Sequence, residues 1–429
     1  MKKMKTEKNV SRREFLKKSA AVSLATAAAQ FNVSAYAAGN GRIRVGLIGC
    51  GGRGTGAMED CAKASKDVEL VAMGDLFKDR MRDSGNQLRQ ALGERFKVAK
   101  DSTYIGFDAY EKVIASDIDM IIHATPPHWR APHIKAAIEA GKHVFMEKPA
   151  GVDPVAIRSL IETSKLAEQK GLAIVAGTQR RHQRHYIELM KRVQDGAIGE
   201  IKTAYAYWCG GDMKGYWKWY EPNEYSNEME GQCRNWPWYV WTSGDHYVEQ
   251  HVHNLDIMKW ALGGNPVKAI GMGGRAVRKE GNIWDHFAVE YEYENGVRVT
   301  SMARQINGCS DRVSEFLVGT KGTCYTDGNA GWIEGDNAYK YDGNNANPYV
   351  LEHVDLIKSI QDGKVLNEGT RVAESTMAAI LGRTSAYTGR ELKWDWMMKA
   401  SKLDLRPEKY EFGDTIKRPV AMPGKTQLM

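Results

Sequence analysis

Ile43-Arg44-Val45-Gly46-Leu47-Ile48, followed by Gly49-Cys50-Gly51-Gly52-Arg53-Gly54, is the stretch that decides the fold. The first six residues, mostly aliphatic, predict a buried strand, and the glycines after them match G-x-G-x-x-G. Each glycine of that pattern answers a physical demand. The first permits a tight turn, the second lets backbone approach a pyrophosphate, and the third lets the next helix pack closely on the strand. The helix N-terminus then offers free N–H groups and the positive end of its dipole to the phosphates. Gly49, Gly51, Gly52, Arg53 and Gly54 are the candidate dinucleotide contacts.

Outward from this loop, a second apolar run, 68–73, leads to Asp75, 26 residues after Gly49. The ordinary spacing is about 20, so the connection is longer than average. A carboxylate there accepts ribose hydroxyls and repels a 2′-phosphate, which favours NAD over NADP; Arg53 is the residue placed to offset that preference. Short apolar runs at 120–124, 143–146 and 172–176 alternate with helical periodicity at 54–65, 76–92, 131–140 and 153–169. This rhythm predicts an α/β domain over 39–180, a doubly wound parallel sheet of Rossmann type. After residue 180 the rhythm changes. Strands at 200–209, 267–278, 286–293, 297–304 and 312–318, with Glu294-Asn295-Gly296 as a hairpin turn, predict an α+β domain over 181–429 with a mostly antiparallel sheet. It includes a helix at 184–196, an aromatic loop at 210–243, a helix at 246–262, and helices between 350 and 390 placed to pack back on the first domain.

The chain has 429 residues, 60 Lys+Arg and 53 Asp+Glu, a net charge of +7. Residues 1–38 hold eight of the basic and two of the acidic residues, which leaves 52 basic against 51 acidic in the rest. The body is near neutral, so there is no electrostatic case for a nucleic acid partner. The basic N-terminus reads as an address. Ser11-Arg12-Arg13-Glu14-Phe15-Leu16-Lys17, an Ala-rich apolar run at 19–29 and Ala35-Tyr36-Ala37 have the order of a twin-arginine signal peptide. The expectation is a periplasmic protein exported folded by the twin-arginine translocase, with no stable membrane anchor. Six scattered cysteines without a C-x-x-C pair exclude a thiolate zinc site and a disulfide scaffold.

Ala124-Thr125-Pro126-Pro127-His128, Met146-Glu147-Lys148-Pro149, Gly177-Thr178-Gln179-Arg180-Arg181 and Gly319-Thr320-Lys321-Gly322-Thr323, taken with the glycine loop, resemble the glucose–fructose oxidoreductase / inositol dehydrogenase / rhizopine-catabolism (Gfo/Idh/MocA) superfamily. The resemblance covers nearly the whole mature chain. It implies a site between a Rossmann domain and an open, mostly antiparallel sheet, and a homodimer or tetramer. It places Lys148 beside the nicotinamide, where an ammonium stabilises developing alkoxide, and puts Thr125, Pro126, His128, Glu147 and Arg181 around the cofactor. The family's Asp, His four residues on, and Asp three further correspond to Glu249, His253 and Asp256, with His251 where glycine is usual. His253 is then the base for a hydroxyl proton, with Glu249 orienting or charging it. His246, Glu249, His251 and His253 also admit a rival use as metal ligands, and a bland one as structural histidines.

Six of the twelve tryptophans, Trp208, Trp217, Trp219, Trp236, Trp238 and Trp241, fall between 205 and 241. Trp208, with Tyr205 and Tyr207, fits packing on a sheet face. In the loop, Trp236, Trp238 and Arg234, together with His251, are the substrate candidates, since flat rings suit sugar faces, and a subunit interface is the alternative use of the loop aromatics. Export adds a constraint on mechanism, because NAD is not freely exchanged outside the cytoplasm. A cofactor carried in already bound has to return to its starting redox state in each cycle. Two chemistries of the superfamily do this. One oxidises a sugar hydroxyl and reduces a second sugar or keto compound. The other is the redox-neutral glycoside hydrolysis of the α-N-acetylgalactosaminidase branch, which usually departs from E-K-P. The expected function is an NAD-dependent oxidoreductase acting on a sugar, glycoside or polyol, then such a glycosidase, then a sugar-binding protein with structural NAD.

Overall fold

Ile43, Val45 and Leu47 have no exposed surface, and their strand runs through the middle of a sheet covered on both faces. The computed structural model describes residues 41–429; the signal peptide expected at 1–38 lies outside them. Strands β1 (Ile43–Ile48), β2 (Val68–Asp75), β3 (Thr103–Ile105), β4 (Met120–His123), β5 (His143–Met146) and β6 (Ile174–Ala176) pair in parallel in the order β3-β2-β1-β4-β5-β6. The order reverses at β1, so the loops after β1 and β4 open a crevice at the carboxyl ends of the strands.

The second sheet has nine strands: β7 (Ile201–Gly210), β8 (Lys268–Gly274), β9 (His286–Glu292), β10 (Arg298–Gln305), β11 (Arg312–Gly319), β12 (Gly322–Asp327), β13 (Gly331–Gly335), β14 (Tyr339–Lys340) and β15 (Leu392–Lys393). Their order is β14-β13-β12-β11-β7-β10-β9-β8-β15, antiparallel except for the β7–β10 pair. Helices Val252–Leu262 and Gly369–Thr388 cover one face. The other carries the exposed Ile270, Met272 and Met302. β12 to β14 escape the sequence reading because they are short and interrupted by Gly328, Gly331 and Gly335.

The chain's last third ties the domains together. Helix Pro348–Gln361 lies on helix Gly52–Ala64, and its Leu356, Ile357 and Ile360 join the core of the first domain. Helix Gly369–Thr388 packs on both Pro154–Lys170 and β8. Two expectations change. The helix expected at 246–262 is broken into His246–Glu249 and Val252–Leu262, joined at Gln250–His251, where His253 N–H reaches only as far as Gln250 O at 3.3 Å. The aromatic loop at 210–243 contains helices Glu228–Arg234 and Val240–Ser243. All six cysteines are free thiols, and among the described residues no helix is long and apolar enough to cross a membrane.

Candidate active site

The glycine loop divides its residues between two tasks. Gly49 has φ +94°, and a Cβ there would lie 2.6 Å from the backbone of Ala124 and Thr125. A Cβ on Gly54 would lie 1.9 Å from Gly49 O, so the helix packs on the turn as the motif requires. Gly51 and Gly52 instead have nothing within 4 Å of such an atom. Their open side faces a cavity of about 490 Å³ lined by Gly51, Gly52, Asp75, Thr125, Pro126 and residues of the second domain. The Asp75 carboxylate accepts Cys50 N–H at 2.6 Å and Phe77 N–H at 2.8 Å, pinning the loop to the end of β2. A cradle bare of side chains at a helix N-terminus, with a carboxylate on its rim, fits the dinucleotide.

Arg130 organises the strand-end motifs. Its buried guanidinium donates to Pro149 O at 2.7 Å, Thr125 O at 3.0 Å and Lys148 O at 3.1 Å, so the ends of β4 and β5 share one clamp. Lys148 then reaches across the domain boundary and donates to Glu249 Oε1 at 2.6 Å and to the Glu249 carbonyl. His253 sits nearby. Burial, then the charges of Lys148 and Arg180, drive its pKa well below the usual imidazole range, so the ring is a neutral base. Its Nδ1 is buried with no partner, and the ring stacks on Trp208 at 5.7 Å. Arg180 lies over the same indole and is held by Glu315 at 2.5 Å. Glu315 also accepts from Asn254, Tyr186 and Thr326.

Several expected roles are revised. Glu249 pairs with Lys148 and His253 stacks on Trp208, and the helix expected to carry both on one face is broken at Gln250–His251. His251 is no substrate contact; it is fully buried, with Nε2 2.6 Å from Ser301 Oγ. His246 is buried against Phe287, and among the described residues no group of three His, Cys, Asp or Glu is arranged to hold a metal. His128 packs beneath the cavity wall against Trp129 and Trp241 and bonds Tyr410 OH at 2.8 Å. Burial pushes its pKa down to about 3. Arg181 serves the fold: it grips Asp256 at 2.7 and 3.1 Å, beside Arg371, and lies on Trp260. Glu147 is buried and pairs with Arg53, which lines the cavity and also lies near Glu352 and over the Tyr349 ring. Trp238 is wholly buried against Trp219, whereas Trp236 and Arg234 line the dinucleotide cavity.

Sequence reasoning missed Trp208, assigned to sheet packing, and Arg130, Arg180 and Glu315. The 2-residue alternation of β7 does place Trp208 on the same face as the buried Ala204 and Ala206, under the helices, and that signal was legible. Nothing local marks the other three.

A parallel sheet with this strand order, a bare glycine cradle at its switch point and a Lys–Glu pair beside a neutral histidine define a dinucleotide-dependent oxidoreductase of two domains. Residues 43–192 match the oxidoreductase family with NAD-binding Rossmann fold, and residues 186–325 match the GFO/IDH/MocA C-terminal domain. The chain belongs to the GFO/IDH/MocA family, and its cofactor is NAD. Among its relatives are a myo-inositol 2-dehydrogenase of Thermotoga maritima, 23% identical over 66% of this chain and 75% of that protein, and an alpha-N-acetylgalactosaminidase of Shewanella oneidensis, 24% identical over 70% and 67%. The aldose-aldose oxidoreductase of Caulobacter crescentus has the same fold, with a TM-score of 0.63 at 17% identity over 82% of this chain and 99% of that one.

Proposed function

We propose that this protein is a periplasmic oxidoreductase acting on a hydroxyl of a sugar, glycoside or polyol, with NAD kept bound between turnovers. The observation that carries the reading is the contact of Lys148 from the first domain with Glu249 of the second at 2.6 Å, four residues before the buried His253. The relatives' substrates, inositols and amino-sugar glycosides, support the class. When bound, NAD would supply the acceptor for the hydride on the carbinol carbon, and a second sugar or keto compound would take that hydride back so that the resident cofactor returns to its starting state. Neutral His253 takes the hydroxyl proton. Lys148 donates to the same oxygen as negative charge develops on it. Glu249 holds Lys148 in place and shields its charge until substrate enters. Arg130 fixes the backbone from which Lys148 projects.

The alpha-N-acetylgalactosaminidase relative keeps a second reading open, a redox-neutral glycosidase built on the same two groups. Incubation with inositols, aldoses and aryl glycosides separates the readings. With a second sugar or keto compound present as hydride acceptor, a ketosugar formed together with the reduced acceptor marks the oxidoreductase, free aglycone without net redox change marks the glycosidase, and sugar affinity with neither product marks a sugar-binding protein. The open face of the nine-stranded sheet is the surface on which a second copy would pack, giving a dimer or tetramer. Export is tested by Arg12→Lys with Arg13→Lys: the double variant should stay in the cytoplasm while the native chain fractionates with the periplasm. Equal distribution of the two would overturn the twin-arginine assignment.

A further inference from the structure

The dinucleotide cavity is walled by two domains, and the contacts that hold the second wall in place lie outside the Rossmann motif. The first domain contributes Phe77, Phe107 and Tyr110 beyond Asp75; the second contributes Trp217, Tyr220 and Trp236. Arg234 joins them. Its guanidinium lies 4.0 Å from the Phe77 ring centre and donates to Asp79 at 3.2 and 3.3 Å, while Glu230 holds its Nε at 2.8 Å. A second tie runs the other way, from Arg80 Nη2 to Tyr220 OH at 3.1 Å. Trp217 stands edge-on to Trp236 at 5.9 Å, and Asn235 fixes the Tyr220 backbone with two hydrogen bonds.

The C-terminal tail backs this wall. Leu405 N–H is anchored on Asp153, Tyr410 on His128, and the Phe412 ring packs against Phe77 at 6.2 Å and Phe107 at 5.3 Å. Gly413 then pairs with the second domain, donating to Asn227 Oδ1 and accepting from Met229 N–H. The tail thus crosses from one domain to the other directly behind two cavity residues. It lies beyond residue 325, past the stretch matched by the family's two domain models.

We propose that Arg234 and Phe412 form a latch that makes NAD a resident cofactor. The inference rests on the reading of NAD as the cofactor of this site. Release requires the aromatic wall to separate from helix Lys78–Leu92, which breaks the Arg234–Asp79 pair, the Arg234–Phe77 stack and the Arg80–Tyr220 bond together. Several weak contacts of this kind, partly desolvated and broken in one motion, slow dissociation far more than any one of them would alone. The latch touches neither Lys148 nor His253, so it governs residence rather than chemistry.

The test measures residence directly on the full mature protein. Bound NAD is quantified by mass spectrometry after gel filtration in nucleotide-free buffer, and its exchange is followed by fluorescence with a fluorescent NAD analogue in excess. The native protein should keep about one NAD per chain. Arg234→Ala and Phe412→Ala should each exchange at least about tenfold faster, and Arg234→Lys, which keeps the charge opposite Asp79 but loses the planar stack, should fall between. Unchanged near-ultraviolet circular dichroism shows that the variants are folded; Phe412 is 47% exposed, so its removal spares the core. Native protein that holds NAD but exchanges it within seconds, or variants that exchange at the native rate, overturn the latch and leave the oxidoreductase intact. Native protein with no affinity for NAD overturns both.

Discussion

The six-stranded sheet serves the site with the ends of its strands, and the nine-stranded sheet serves it with a face. Gly51, Thr125 and Lys148 follow β1, β4 and β5, Asp75 closes β2, and none of them is needed to fill the sheet's interior. Trp208, Ser301 and Glu315 sit within β7, β10 and β11 on the covered face, so the surfaces that position His253 and its helix also build the core. Changes at a strand end should therefore alter binding or chemistry with little loss of stability, whereas changes on the face should alter both together.

The largest effect should come at the meeting point of the two. Lys148→Met and His253→Ala should each lower kcat/KM by about 10²–10⁴ on whichever sugar or polyol is turned over, with bound NAD unchanged by mass spectrometry. Activity within tenfold of native in either variant would remove that residue from the chemistry. Next is the face. Glu315→Gln leaves the Arg180 guanidinium buried without its counter-ion and should cost about 3–5 kcal/mol in urea denaturation, together with a loss of kcat. If stability alone falls, the network is structural and the coupling drawn above is wrong.

The glycine loop offers a sharper contrast within one strand end. Gly54→Ala drives a Cβ into Gly49 O and should destabilise by about 1–3 kcal/mol. Gly51→Ala meets nothing in the protein, so Tm should hold while NAD is lost, because the methyl group would occupy the pyrophosphate's approach. Equal effects of the two on Tm and on NAD content would refute the division of tasks. The smallest effect concerns the boundary between the domains. Burial works against the His182 charge, but the hydrogen bond to Asp355 at 2.6 Å and the Glu368 carboxylate 3.7 Å from Nε2 outweigh it and raise the pKa to about 9. A raised folded-state pKa stabilises fully below the unfolded value of about 6.5 and is lost as pH rises through about 9. Stability should fall over that window by on the order of 1–3 kcal/mol, and His182→Gln should flatten the profile.

Much of the first domain was legible because its demands are local. A buried parallel strand reads as an apolar run, and Gly54 must be bare because its own loop lies against it. Lys148 and Asp75 were found because strand ends in such sheets are where sites form. In the second domain helical spacing predicts one face shared by Glu249 and His253, but the helix is broken at Gln250–His251 and Glu249 pairs with Lys148. Arg181 and Asp256 were recognised as family positions, yet their ion pair with Arg371 shows them holding the fold together. The aromatic segment reads as a sugar platform or a subunit interface, and its Trp217, Tyr220 and Trp236 line the cavity beside the glycine loop.

By itself, then, the sequence determined the parallel sheet, the glycine cradle and the acid on its rim, because each follows from neighbours a few positions away or from the end of a strand. Tertiary structure alone decided what those residues touch. Lys148 meets Glu249 across 101 positions of chain, Arg180 meets Glu315 across 135, and Tyr410 reaches His128 across 282. Such pairings are selected by the packing of two domains and a returning tail, and no local periodicity encodes them.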